Sequence, residues 1–163
     1  MALDKSILAT ELETWMNNPA DNLSDSADLF ADAYDTYTAD ALDPTGNTLL
    51  LVNRAGLVDA FKTITNNDTA SSSAIKISNG IVLYWTGATF TPTPPQTASV
   101  VTTPMVPASI STALTVVFSD ISSSTTVSTK ATQISDLLDI ATKTVVVTVT
   151  LPPPTPPVIG PIT

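Results

Sequence analysis

Hydrophobic positions along this chain fall on two helical stripes, and each stripe occurs three times. The first stripe reads Leu8, Leu12, Trp15; then Leu57, Phe61, Ile64; then Leu114, Phe118, Ile121. The spacing i, i+4, i+7 marks one face of an α-helix. A small polar pair stops each run: Asn17-Asn18, Asn66-Asn67 and Ser123-Ser124. Such side chains bond to nearby backbone and favour helix ends over helix interiors. The second stripe reads Ala27, Phe30, Tyr34, Tyr37; then Ala74, Ile77, Ile81, Tyr84; then Ala131, Ile134, Leu138, Ala141. Inside it, a small residue (Ala31, Ser78, Ser135) precedes a polar one (Asp32, Asn79, Asp136). Ser26, Ser72 and Ser128 stand just upstream as candidate caps.

Each unit therefore reads as helix, polar turn, helix, with an offset of about 50 residues, a repeat signature. The predicted fold is mainly α with short β: three repeated αα-hairpin units with extended Pro/Thr/Val-rich arms. The units divide at 1–47, 48–108 and 109–163. One hairpin cannot bury both its faces. Three can form a six-helix core, sit around a pseudo-threefold axis, or stack against copies in another chain. Trp15, Phe61, Phe118, Tyr34, Ile81 and Leu138 are the expected core.

The segments after the hairpins are not helical in pattern. "LDPTGNT" is a turn with Pro44 and Gly46. "ATFTPTPPQTASVVTTPMVP" carries Pro92, Pro94, Pro95, Pro104 and Pro107, which oppose helix and most central strands. "TKTVVVTVT" is rich in the strongest strand formers. Its partners within the chain would be Ala98–Thr103 or Thr86–Thr91; failing both, another chain must cover its edge. The closing "LPPPTPPVIGPIT" favours stiff polyproline II. It is either an apolar-tipped arm reaching a neighbour or a disordered terminus. The expected contact residues are Val145, Val147 and Val149 on the strand, with Pro153, Val158 and Ile159 in the tail.

Composition changes this picture in two ways. Of 163 residues, 43 % are hydrophobic and only 13 % charged, against about 25 % charged in ordinary domains. Much of the surface is then available to neighbours. The formal charge is −9, and the six basic residues are scattered singly, so neither nucleic acid nor an anionic membrane is an expected partner. No apolar run has the length of a membrane span, and the opening "MALDKSILATELETW" lacks a signal peptide's basic start and apolar centre. Synthesis in a cytoplasm is expected.

Candidate chemistry is thin. The chain has no cysteine and no histidine, which removes disulfides, thiolate metal sites and the commonest general base. The acidic run holding Asp21, Asp25, Asp28, Asp32, Asp35 and Asp40 lacks the alternation, glycine and closing glutamate of a calcium loop. Asp25, Asp28, Asp32 and Asp35 read as one solvated helix face. Glu11, Glu13 and Asp4 lie on one amphipathic helix rather than across a cleft. The serines have no activating partner. The five glycines form no phosphate loop. Tyr84 and Trp85 suit packing, or stacking on a sugar. No catalytic residue, metal ligand, cofactor site or small-molecule substrate is expected.

The stretches "MALDKSILATELETWM", "LFADAYDTYTADAL", "ISNGIVLYWTGATF" and "STKATQISDLLDIATKTVVVTVTLPPP" together resemble, in style and order, small virion structural proteins of contractile-tailed bacteriophages. The likeness covers most of the chain but contains no diagnostic motif. It implies a non-catalytic assembly component of tail, neck or baseplate. Such a component would lie in the virion, with other virion proteins and copies of itself as partners, clasping neighbours through its extended arms. The triplication departs from simpler members with one unit. A capsid-surface decoration protein, or an adhesion or carbohydrate-binding module using Tyr84 and Trp85, is the alternative.

Overall fold

The computed structural model describes residues 3–18, 20–104, 107–120, 122 and 124–163. Ile121 and Ser123, placed above in a stripe and in a helix stop, lie outside them. The element order is α1 (Lys5–Asn17), α2 (Leu23–Thr38), β1 (Leu49–Leu51), α3 (Arg54–Lys62), α4 (Ala70–Trp85), β2 (Thr89–Phe90), β3 (Ala98–Thr103), α5 (Pro107–Ser119), α6 (Val127–Thr142), β4 (Val146–Thr150) and β5 (Val158–Pro161). The chain is mixed α/β, with six helices and one five-stranded antiparallel sheet among the described residues.

The helices start where a short polar side chain meets a free N–H. Asp4, Asn22, Asn53, Thr69 and Thr126 accept from the amides of Ser6, Asp25, Gly56, Ser72 and Thr129. Ser26, Ser72 and Ser128 are therefore not the caps. Each second helix begins before its apolar stripe, so these serines sit within it. Pro107 opens α5, where its missing N–H costs nothing because that donor has no helical partner anyway.

Each helix packs on the next in sequence, and α6 packs back on α1, so the six close into a ring. The stripes face inward. Leu8, Leu57 and Leu114 are buried, as are Ala27, Ala74 and Ala131. Of the six expected core residues, Phe61, Tyr34, Ile81 and Leu138 are buried, while Trp15 and Phe118 are half-buried against the same cluster. Trp15 meets Phe30 and Phe61 edge-on at 5.4 and 5.9 Å between ring centroids.

The sheet runs β1-β2-β3-β4-β5. The Val/Thr strand finds its partner at Ala98–Thr103, pairing Ala98 with Thr150 and Val101 with Val147. Its other edge is taken by the C-terminal segment, with Val146 opposite Pro161 and Val149 opposite Val158. The arms of this sequence are thus tied into their own chain. Alternation along β4 puts one row of valines inward, so Val145, Val147 and Val149 are fully buried in the core. This corrects the expectation that they contact a neighbour: the helix ring already covers that face. Pro153, in the turn between β4 and β5, and Val158 and Ile159 on β5 remain exposed.

Beyond β5, Thr163 exchanges both backbone hydrogen bonds with Leu42, at 2.9 and 3.0 Å. Leu42 in turn bridges to Thr48, beside β1. The sheet therefore curls back toward its own first strand. Gly160 permits this closure, because a Cβ there would lie 3.0 Å from Pro44 Cγ. Ile162, Phe90 and Val101 bury into the same cluster as the helix stripes, so sheet and ring share one core.

A chain ending at Thr150 is expected to lose more than a tail. Exposing Ile162's site alone costs about 2 kcal/mol, and β4 gains an open, β-branched edge. Urea unfolding should show a lower midpoint, and light scattering should show aggregation at rest. An unchanged midpoint would contradict an integral β5.

Candidate functional site

Asp28, Asp32 and Asp35 follow one another at i, i+4, i+7 on α2 and so share a face. That face is not simply solvated. Arg54, the first residue of α3, reaches back across it: Nη1 lies 3.0 Å from Asp28, Nη2 2.6 Å from Asp32, and Nε 3.0 Å from Asp35. Lys62 stands 4.0 Å from Asp28. Partial burial works against the guanidinium's charge, but the hydrogen bonds to Asp32 and Asp28 outweigh it and hold its pKa above the ordinary value. Sequence reasoning missed this clamp because Arg54 looked isolated. The available signal was the carboxylate spacing on α2 followed by a cation opening the next helix.

Asp35 links the clamp to the interior. Its carboxylate accepts from the Tyr84 hydroxyl at 2.6 Å, and the same hydroxyl is 2.6 Å from Thr38 Oγ1. Above this pair runs a groove of about 410 Å³, walled by Leu49–Val52 on one side and by Thr38 and Ala39 at the end of α2 on the other, with Arg54 at its rim. Leu50 and Leu51 are 64 % and 62 % exposed there.

Two further polar chains lie deeper. Trp85 Nε1 donates to the Tyr34 oxygen at 2.9 Å, and that oxygen is 2.6 Å from Thr142 Oγ1. Tyr37 donates to Asp139 at 2.8 Å, and Lys143 pairs with the same carboxylate at 2.9 Å. Near the sheet's closure, Asp43 accepts from the Thr45 and Asn47 amides and from the Ser99 hydroxyl, at 2.8, 3.0 and 2.6 Å. Burial pushes Asp43 up, but the hydrogen bonds from Ser99, Asn47 and Thr45 prevail and hold it below the usual carboxylate range. Among the described residues, no buried side-chain nitrogen or oxygen lacks a partner.

The structure also places several sequence-based candidates. Tyr84 and Trp85 are buried, so neither offers a ring face to a sugar. The stripe periodicity already placed Tyr84 inward, and Trp85 follows it into the gap beside Tyr34. Among the described residues, no group of three or more carboxylates is arranged to hold a metal, and no helix is long and apolar enough to cross a membrane. Asp35, the carboxylate that lines the groove, is engaged as an acceptor by Tyr84 and Arg54, and Tyr84 is fixed as a donor. What the site offers a ligand is an apolar strand edge beside a charged rim.

The chain matches no family model, no curated protein and no solved structure.

The chain's three tyrosines are Tyr34, Tyr37 and Tyr84. Burial, first of all, lifts each above the ordinary value of 10.0. The native state keeps these protons where the unfolded chain releases them. Their contribution to stability is complete below pH 10 and is lost as pH rises beyond it. A tyrosinate absorbance titration should show no ionisation near pH 10 in the folded protein. It should show instead one step coincident with loss of helical circular dichroism. A tyrosine ionising near pH 10 with the dichroism intact would contradict the buried network.

Proposed function

We propose that this chain is a virion structural protein of a contractile-tailed bacteriophage, a non-catalytic assembly component of its tail, neck or baseplate. The observation that carries the reading is where the molecule spends its polar and apolar groups. Among the described residues, every buried polar side-chain atom is consumed in a bond. Large aliphatics stand on the outside instead: Leu50, Leu51, Val116, Ile140 and Ile159 are between 62 % and 69 % exposed. Low charge and the resemblance of the sequence point the same way. Because the tail is bound into its own sheet, contacts with other virion proteins and further copies run through the outer face of a folded module, with Pro153, Val158 and Ile159 on it. The stacking face that a carbohydrate-binding module needs is buried.

We infer also that the three hairpins are copies of one unit. Each has a second helix of 16 residues, capped by Asn22, Thr69 or Thr126 at the same distance from the buried alanine. Each is followed by a chain reversal: Leu42 to Thr48, β2 to β3, and β4 to β5. The seams between units also match. Arg54 of the second unit pairs with Asp32 of the first at 2.6 Å, and Lys5 of the first pairs with Asp136 of the third at 2.7 Å. The corresponding residues at the remaining seam are Asn79 and Ser111, which line a neutral groove of about 210 Å³.

Two experiments test these readings. Asn79→Asp with Ser111→Lys should install the third seam pair. A double-mutant cycle should give favourable coupling of about 0.5 kcal/mol; zero or repulsive coupling would mean the seams are not equivalent. Mass spectrometry of purified particles from the source of this sequence should find the chain in constant ratio to the main tail protein. Its presence in the lysate but absence from the particles would overturn the virion role.

A further inference from the structure

We propose that a second groove, between α1 and α2, takes the side chain of a lysine presented by another protein. It is separate from the groove beside β1. Glu11, Thr14, Trp15 and Asn18 line it from α1 and its end, and Leu29 and Asp32 from α2, around a volume of about 140 Å³. That is room for one long side chain and not for a strand or a helix. The inference does not rest on the virion reading, since any protein contact would use the groove in the same way.

The groove joins apolar walls to hydrogen-bond acceptors. Trp15 is half-buried and held in place: its Nε1 donates to Ser26 Oγ at 3.1 Å, and its ring meets Phe30 and Phe61 edge-on. Leu29 is 42 % exposed. The donors of the polar residues are engaged along α1. The Thr14 hydroxyl donates to the Thr10 carbonyl at 2.9 Å, and the Asn18 amide donates to the Thr14 carbonyl at 3.0 Å. The carboxylates of Glu11 and Asp32 remain as acceptors. A lysine ammonium has three donors and no acceptor. Its methylene stem lies along apolar surface while its charge stays near water, and a tryptophan ring attracts the cation. An anion would meet two carboxylates instead.

Charge selects the occupant. Among the described residues, two acids and no base line this groove. Glu11 has no ion-pair partner among them. Asp32 shares Arg54 with Asp28 and Asp35, and Lys62 stands 4.0 Å from Asp28. Four carboxylates thus face two cations, and the groove stays negative. Glu11 and Asp32 sit on different helices, which suits the compact charge of a lysine better than the planar fork of an arginine. The chain's own −9 favours a basic partner over a second copy. Residues flanking the lysine would cover Leu29, which a free amine leaves bare.

The test uses the full chain and its own fluorescence. Of the two tryptophans, Trp85 is fully buried, so a change in emission on adding a ligand reports Trp15. The probes are the blocked peptide acetyl-Leu-Lys-Leu-amide, the same peptide with norleucine in place of lysine, and butylamine, all at equal ionic strength. The lysine peptide should give a saturable change with a Kd of roughly 1–10 mM. The norleucine peptide and butylamine should each bind at least about tenfold more weakly, and added salt should weaken the lysine peptide. Glu11→Gln should weaken it about threefold and Glu11→Lys should abolish its binding, with the thermal midpoint of both variants close to that of the parent. No saturable change with the lysine peptide, equal binding of the norleucine peptide, or indifference to both substitutions overturns the proposal. Butylamine binding as tightly as the lysine peptide overturns the choice of occupant in favour of a free amine.

Discussion

A helix pair with an apolar stripe on each helix cannot hide both stripes by itself, and this constraint governs the molecule. The stripes at Leu8, Leu57 and Leu114 and at Ala27, Ala74 and Ala131 are all buried because every helix has two neighbours and the ring closes between α6 and α1. Closure of the ring leaves one end of the core to be covered, and the sheet covers it. Val145, Val147, Val149, Phe90 and Ile162 complete the same apolar cluster that the helices begin. Removing any segment would reopen a surface that several others share, so stability is distributed rather than local.

Polar groups fix how the apolar ones meet. Tyr34, Tyr84 and Trp85 each bury a large ring, and each must satisfy a hydroxyl or an indole N–H. They do so through Thr142, Thr38, Asp35 and one another. Those bonds join the first, second and third helix pairs at fixed heights. The ion pairs at Arg54–Asp32 and Lys5–Asp136 lie outside this core and are partly exposed. Screened by water, they add little stability singly. Their value is in register, since each locks the start of one helix to a set position on another.

The helices were legible because burial on one side leaves a 3.6-residue period. Stripe positions chosen from Leu8, Phe30 or Ile134 alone place the inward face. The sheet was only half legible. "TKTVVVTVT" announces a strand, but pairing depends on segments far away in sequence, and Ala98–Thr103 was one of two equal candidates. The tail misled because prolines at 152, 153, 154, 156 and 157 suggest an extended free arm. In the folded chain they fill the turn between β4 and β5, and the following "VIGPI" returns to the sheet. Val145, Val147 and Val149 misled for a related reason: alternation identifies a buried face but not whose core buries it. The groove beside β1 left no trace in the sequence, because it arises from a slip in register between β1 and β2 and from Arg54 crossing to another helix.

The central claim is that ring, sheet and tail form one cooperative core. Native-state hydrogen exchange on the full chain tests it most directly, read at the amides of Leu42, Val101, Ile162 and Thr163, whose hydrogen bonds close the sheet. Leu42, Val101 and Ile162 should exchange only through the global opening that also releases the helix interiors, with Thr163 close behind. Fast exchange at Leu42 and Ile162 while Val101 and the helices stay protected would mean the C-terminal segment is a detachable arm, and the account of a single closed core would be wrong.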